Sequence, residues 1–114
     1  MIVTPSIQWK LYFDGSYTQK GSGARILFVT LQGDLIPKSY KISFPCTNNI
    51  AKYEGLVIGL CQAISWNIKS LLIFGDSQLV IKQVLDEYHT KDEKLLPYCK
   101  IVEDLKQNFT KIIF

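Results

Sequence analysis

The feature that most constrains the fold is a short continuous apolar run, KSLLIF, at residues 69–74. A run of this kind is typical of a strand that is covered on both faces of a sheet. It follows residues 50–66, where apolar side chains recur at spacings of three and four and predict a helix buried on more than one side. A helix in this position can cross over and bring the later strand parallel to an earlier one. The pattern therefore favours an α/β fold.

The opening third of the chain predicts an antiparallel meander of three strands. Residues 8–14, QWKLYFD, alternate apolar and polar side chains and predict a first strand that ends at Asp14. Residues 24–30 and 35–44 are rich in apolar and β-branched side chains and predict the second and third strands. Gly15-Ser16 and residues 21–23 bracket a turn between the first two strands, and residues 32–34 turn the chain again before the third.

The remainder of the chain predicts helices and one more strand. The helix at 50–66 has three candidate N-cap residues, namely Thr47, Asn48 and Asn49. A second helix is expected from Asp76 or Ser77 to about Glu87, a third over 95–109, and a final strand over 111–114.

Composition agrees with one globular domain spanning residues 1–114. The chain has 114 residues, of which 47% are hydrophobic and 20% charged. No apolar run approaches the roughly 20 residues that cross a bilayer, and the N-terminus lacks the pattern of a signal peptide. We expect a soluble intracellular protein, in cytoplasm or nucleus, without membrane association. The sequence does not indicate an oligomeric state.

Charge and cysteine content exclude two further classes. The net charge of +3 allows a polyanionic partner without requiring one, and a single arginine, Arg25, argues against a reader of bases in the major groove. The three cysteines are too few and too widely spaced for a zinc knuckle. We expect Cys46, Cys61 and Cys99 to be buried free thiols.

The segment FGDSQL, residues 74–79, fits two different chemistries. Its Gly-Asp-Ser-x-Leu pattern resembles the nucleophile block of GDSL hydrolases, and Asp86-x-x-His89 resembles their second block. A serine nucleophile needs its base within hydrogen-bond reach. Ser77 and Asp86, however, are nine residues apart on one predicted helix, roughly 14 Å at a rise of about 1.5 Å per residue. We therefore assign Ser77 to helix capping and His89 to solvent.

The second chemistry is a metal site. Asp14 and Asp76 each end a predicted strand, and the two strands are parallel neighbours if one sheet contains both. Carboxylates at the carboxyl ends of adjacent strands form a hard-oxygen site that suits Mg²⁺. Each acid also has a simpler interpretation, since Asp14-Gly15 is a common turn and Asp76 a common helix cap. Spacing alone favours the simpler interpretation.

Three ordered segments carry a resemblance to a known family: YFDGSYTQKGSGA, CTNNIAKYEGLVIGL and FGDSQLVIKQV. They resemble the ribonuclease H domain of gypsy-type LTR retrotransposons, especially plant copies, over the chain from about Trp9 onward. The resemblance implies the ribonuclease H-like fold, a five-stranded mixed sheet of order 3-2-1-4-5 with helices on both faces. It also implies an endonuclease that hydrolyses the RNA strand of RNA/DNA hybrids, with four acids holding two Mg²⁺ ions.

Not all of the acids implied by the resemblance are present. Asp14 matches the first acid and Asp76 the third, but Lys52 stands where the family has its second, a glutamate. Glu54 lies two residues further along the helix, a rotation of about 200°, so it is not expected to replace that ligand. The fourth acid belongs to a C-terminal helix beyond the last strand, which we expect to be missing because the chain stops at Phe114. The lysine is expected to neutralise the two aspartates and to disfavour Mg²⁺.

The resemblance further implies that nucleic acid contacts the first loop and the start of the first helix. The residues concerned are Gly15, Ser16, Thr47, Asn48 and Asn49. We therefore expect a domain that binds RNA/DNA hybrid and whose cleavage is lost or badly impaired. An active Mg²⁺-dependent hybrid ribonuclease and a structural or protein-interaction domain stay open as alternatives. The sequence also leaves open whether the chain is part of a larger polyprotein.

Overall fold

The structure, a computed structural model, describes residues 8–18, 21–44, 47–75 and 95–114. Five strands and two helices occur in these ranges. In chain order they are β1 (Trp9–Thr18), β2 (Gly21–Val29), β3 (Leu35–Ile42), α1 (Asn48–Ser65), β4 (Ser70–Gly75), α2 (Leu96–Lys106) and β5 (Lys111–Ile113). The helix predicted from Asp76 or Ser77 to about Glu87 lies outside the described residues.

The strands form one mixed sheet of order β3-β2-β1-β4-β5. β1 is antiparallel to β2, and β2 is antiparallel to β3. After α1 the chain returns parallel to its first strand, because β4 pairs in parallel with β1 and β5 pairs in parallel with β4. The predicted fold class, the strand order and the parallel contact of the first and fourth strands are confirmed.

β1 continues beyond the predicted end of the first strand. Asp14 is paired with Arg25 within the β1–β2 ladder, and the ladder extends to the pair of Thr18 with Gly21. The prediction that the first strand ends at Asp14 is therefore wrong. Four further cross-strand pairs outweigh the turn tendency of a Gly-Ser dipeptide, and the connection between the strands lies after Thr18.

A row of small side chains lets α1 pack directly on β1. Ala51, Gly55 and Gly59 are four residues apart and lie on one face of the helix. A β-carbon on Gly59 would lie 2.6 Å from the Leu11 side chain, and one on Gly55 would lie 3.0 Å from the Asp14 carbonyl oxygen. The helix backbone is thus held against the strand that carries Asp14.

The core fills the space between the sheet and the helices. Fully buried side chains come from β1, β2, α1, β4 and α2, and include Leu11, Phe28, Tyr53, Leu56, Leu60, Leu71 and Val102. Thr47 is the N-cap of α1, where its hydroxyl accepts a hydrogen bond of 3.2 Å from the Ile50 N–H. Of the three predicted caps, Thr47 is the one that the structure uses.

Among the described residues, burial along β4 alternates, which differs from the expectation of a strand covered on both faces. Leu71 and Ile73 are buried, whereas Phe74 is 41% exposed. The Phe74 ring stacks on the ring of Tyr12 in β1, 4.9 Å between centroids, on the face of the sheet opposite α1. The apolar run therefore predicted the position of β4 correctly, but it did not predict which face of the strand is buried.

Two further expectations have outcomes among the described residues. Cys61 is exposed and Cys99 half-buried, both as free thiols, so the expectation of buried thiols is wrong for Cys61 and met only in part by Cys99. Cys46, the third cysteine, lies outside the described residues. Neither described helix has the length and apolarity that a bilayer span requires.

Candidate functional site

Asp14 forms an ion pair across the β1–β2 ladder. Its Oδ1 accepts a hydrogen bond of 2.8 Å from the Gly15 N–H, and its Oδ2 lies 3.3 Å from Nη2 of Arg25. The two side chains are 34% and 65% exposed, respectively. Both carboxylate oxygens are thus engaged, one by the backbone and one by a cation.

Gly15 lets the start of α1 approach the backbone of the strand that carries Asp14. A β-carbon built on Gly15 would lie 2.5 Å from the Ala51 carbonyl carbon and would also meet the backbone nitrogen of Lys52. A side chain does not fit between strand and helix at this point. The structure therefore places the backbone of Lys52 beside the residue that follows Asp14.

Glu54 is engaged on the side of α1 that faces α2. Its Oε1 accepts a hydrogen bond of 2.6 Å from the hydroxyl of Tyr98. Tyr98 in turn stacks on Tyr53, with the ring centroids 5.8 Å apart. Glu54 thus helps to join the two helices, which agrees with the expectation that it does not replace the missing ligand.

Tyr53 completes this contact between the helices. Its side chain is fully buried, and its hydroxyl lies 3.4 Å from Sγ of Cys99 on α2. Burial, reinforced by the hydrogen bond with Cys99, raises the pKa of the Tyr53 hydroxyl well above its ordinary value. The hydroxyl is therefore neutral at physiological pH.

The predicted substrate-binding residues are described only in part. Thr47 and Asn49 lie at the start of α1, the end that approaches Gly15. The structure gives the backbone of Asn48 and of Ser16 but does not describe their side chains. Asp76, Ser77 and His89 lie outside the described residues, so the predicted meeting of Asp14 with Asp76 stays a prediction. Gly75, the last described residue of β4, pairs with Phe13, the neighbour of Asp14.

A cavity of about 270 Å³ opens beside the ion pair. Successive side chains of a strand point to opposite faces, so Asp14 and Arg25 lie on the face away from α1. Residues of β1, β2 and β3 line the cavity, among them Tyr12, Asp14, Arg25, Leu27, Pro37 and Ser39. The lining is largely apolar, and its charged side chains at the Asp14 end are those of the ion pair.

The Mg²⁺ ions that the resemblance implies can be tested against these donors. A two-ion site needs several carboxylates together. Among the residues that the structure describes, no group of three or more His, Cys, Asp or Glu side chains could hold a metal ion. The described donor set, a single carboxylate paired with a guanidinium, does not fit a two-ion site.

The contact of Arg25 with Asp14 is the feature of this site that the motifs did not predict. The sequence contained the signal, because continuing the β1–β2 ladder past Gly15 places Arg25 directly opposite Asp14. A first strand that ends at Asp14 does not predict this cross-strand pair.

The sheet order and helices define a ribonuclease H-like fold. The crystal structure of ribonuclease H1 from Halobacterium salinarum matches with a TM-score of 0.86 at 26% identity, covering 93% of this chain and 82% of that one. LC11-ribonuclease H1, solved in complex with RNA/DNA hybrid, matches with a TM-score of 0.83 over 94% of this chain and 83% of its own, and at 20% identity it shows the shared fold alone.

Sequence comparison defines the family. The family model described as reverse transcriptase-like matches residues 12–114, and the chain belongs to this family. Ribonuclease HI of Halobacterium salinarum is 31% identical over 86 residues, which are 74% of this chain. The aligned region spans 43% of the length of that relative.

Proposed function

We propose that this chain is the ribonuclease H-like domain of a gypsy-type retrotransposon polyprotein, that it binds RNA/DNA hybrids, and that its cleavage of the RNA strand is lost or badly impaired. The observation that carries the proposal is the state of Asp14. This carboxylate has the position of the first family acid, but Arg25 occupies one of its oxygens and a lysine stands at the neighbouring ligand position on α1. The acid is therefore held as part of an ion pair.

Support for hybrid binding comes from the retained surface around Gly15. Asp14, Gly15 and the start of α1 lie together, and the Thr-Asn-Asn segment opens the helix. Hydroxyl and amide groups at this position suit the 2′-hydroxyls and phosphates of an RNA strand. A protein of the same fold has been solved with RNA/DNA hybrid. These groups do not depend on a metal ion.

Binding is tested by titrating fluorescent RNA/DNA hybrid and DNA duplex of the same sequence with the protein in EDTA at low salt. We expect weak binding with a preference for the hybrid, and an affinity that falls as salt is added because counterions are released. Equal affinity for both duplexes, or none, would favour the protein-interaction alternative.

A matched pair of variants locates the surface. Asn49→Ala at the start of α1 is expected to weaken hybrid binding, whereas Asn108→Ala, just after α2, is expected to leave it unchanged. An equal loss in both variants would argue against contact at the start of α1.

A further inference from the structure

The ion pair at Asp14 is fixed by the sheet rather than by chance contact. Asp14 and Arg25 are direct partners in the antiparallel ladder, where opposite β-carbons are about 5 Å apart. Their side chains leave the same face of the sheet, so the guanidinium reaches the carboxylate without any movement of the backbone. The register thus keeps a cation within reach of this acid.

The oxygen that Arg25 contacts is also the one that a metal ion would use. Oδ1 of Asp14 already accepts the Gly15 N–H at 2.8 Å, whereas the Arg25 guanidinium lies 3.3 Å from Oδ2. A cavity of about 270 Å³ opens beside the pair, so the Asp14 carboxylate can be reached from solvent. Access is therefore available at Oδ2, and the guanidinium is what stands there.

We propose that Arg25 is the resident counter-cation of Asp14, and that a divalent cation must displace it before Asp14 can act as a ligand. The inference rests on the proposed function in that it concerns the same acid, and it gives a physical reason for weak metal binding that is separate from Lys52. Guanidinium and metal ion compete for a single carboxylate oxygen, since a guanidinium only donates hydrogen bonds and cannot join the ligand set.

The expected effect of Arg25 on cation affinity follows from the exposure of its side chain. Arg25 is 65% exposed, so the pair is screened by solvent and contributes little to the stability of the fold. Removing the guanidinium ends both the competition and its repulsion of a divalent ion. We expect a gain of about three- to tenfold in cation affinity at low salt.

The test is a Mn²⁺ titration of ¹⁵N-labelled protein, which follows the paramagnetic broadening of the Asp14 and Gly15 amide signals. Arg25→Gln is expected to reach half-broadening at about three- to tenfold less Mn²⁺ than the original chain, and Arg25→Lys is expected to stay close to the original. Lys41→Gln is the matched control, because it removes one exposed positive charge from the neighbouring strand β3, where Lys41 pairs with Gly23. It is expected to change the midpoint less than about twofold.

The ligand is checked with Asp14→Asn in the Arg25→Gln background, which should abolish the broadening at these amides. The proposal is overturned if Arg25→Gln does not differ from the original chain, if Lys41→Gln has the same effect, or if the double variant still binds at this site. Hybrid binding by the same proteins is measured separately in EDTA. Its absence would count against the proposed function and would leave the Mn²⁺ comparison interpretable.

Discussion

Replacing Gly15 by alanine tests the contact that places α1 beside Asp14. The added β-carbon would lie 2.5 Å from the Ala51 carbonyl carbon and 2.7 Å from the Ala51 β-carbon. Ordinary contacts begin near 3.4 Å, so α1 would have to move away by about 0.9 Å. Most of the atoms in the way belong to the helix backbone, so a change of rotamer does not relieve the overlap.

The loss of stability in Gly15→Ala follows from the core contacts that a movement of α1 would disturb. α1 contributes fully buried side chains to the core, including Tyr53, Leu56 and Leu60, and their contacts with the sheet would loosen together. Overpacking of a core typically costs 1–3 kcal/mol. We expect a value near the upper end, about 3 kcal/mol, because the backbone cannot adjust locally.

Gly59→Ala is the matched control on the same interface. Its β-carbon would meet the end of the Leu11 side chain, 2.6 Å from Cδ2, which can shift by changing rotamer. Alanine also gains about 1 kcal/mol over glycine inside a helix, which offsets part of the overlap. We expect a net cost of about 1 kcal/mol or less, and therefore a difference of about 2 kcal/mol between the two variants.

Urea unfolding followed by tryptophan fluorescence and circular dichroism measures both variants. With a slope of about 1–3 kcal/mol per molar urea, a difference of about 2 kcal/mol separates the midpoints by about 1 M. Equal midpoints would refute the close approach of α1 to β1 at Gly15, and with it the position of the Lys52 backbone beside Gly15.

Three further predictions concern α1. Thr47→Ala should lower the free energy of unfolding by about 1 kcal/mol, because the Ile50 N–H loses its cap, while Thr47→Ser should keep most of it in the same urea assay. Glu54→Gln should cost about 1–2 kcal/mol by weakening the charge-assisted hydrogen bond from Tyr98, and an equal cost in a Tyr98→Phe background would contradict this. The raised pKa of Tyr53 predicts that its contribution to the free energy of unfolding is fully present below about pH 10. Above that pH the unfolded chain releases a proton that the folded chain keeps, so the free energy of unfolding should fall by up to about 1.4 kcal/mol per pH unit. Urea unfolding curves between pH 9 and 11 should show this fall for the original chain and a smaller one for Tyr53→Phe.

Local patterns in the sequence identified most of the sheet. Alternation predicted β1, the apolar run predicted β4, and the helix between them allowed the parallel pairing that the structure has. The strand order itself came from the resemblance to ribonuclease H domains, since spacing alone left the pairing of β5 undetermined. Thr47 could be narrowed only to three neighbouring cap candidates, because Thr and Asn side chains cap helices about equally well.

The residue types that follow Asp14 led to a wrong prediction of where β1 ends. Gly15 and Ser16 are common in turns, so a sequence pattern ends β1 at Asp14, whereas the ladder with β2 continues to Thr18. Because the strand was predicted to end at Asp14, the cross-strand contact with Arg25 was not predicted. The close packing of the small-residue row of α1 on β1 was also not predicted, because apolar periodicity does not include glycine. Phe74 was expected to be covered, but periodicity does not report whether a second layer lies on a given face.

Cleavage of a labelled RNA/DNA hybrid, with Mg²⁺ or Mn²⁺ and with EDTA as blank, tests the central claim most directly. The original chain, Asp14→Asn and Lys52→Glu are compared at equal protein concentration. We predict that the original chain does not cut above the level of Asp14→Asn, because Arg25 pairs with Asp14 and the resemblance implies that Lys52 replaces the second acid. Lys52→Glu should raise metal binding by exchanging a repelling charge for a carboxylate ligand. Strong metal-dependent cleavage by the original chain that Asp14→Asn abolishes would contradict the claim and would make this an active ribonuclease with an unusual set of ligands.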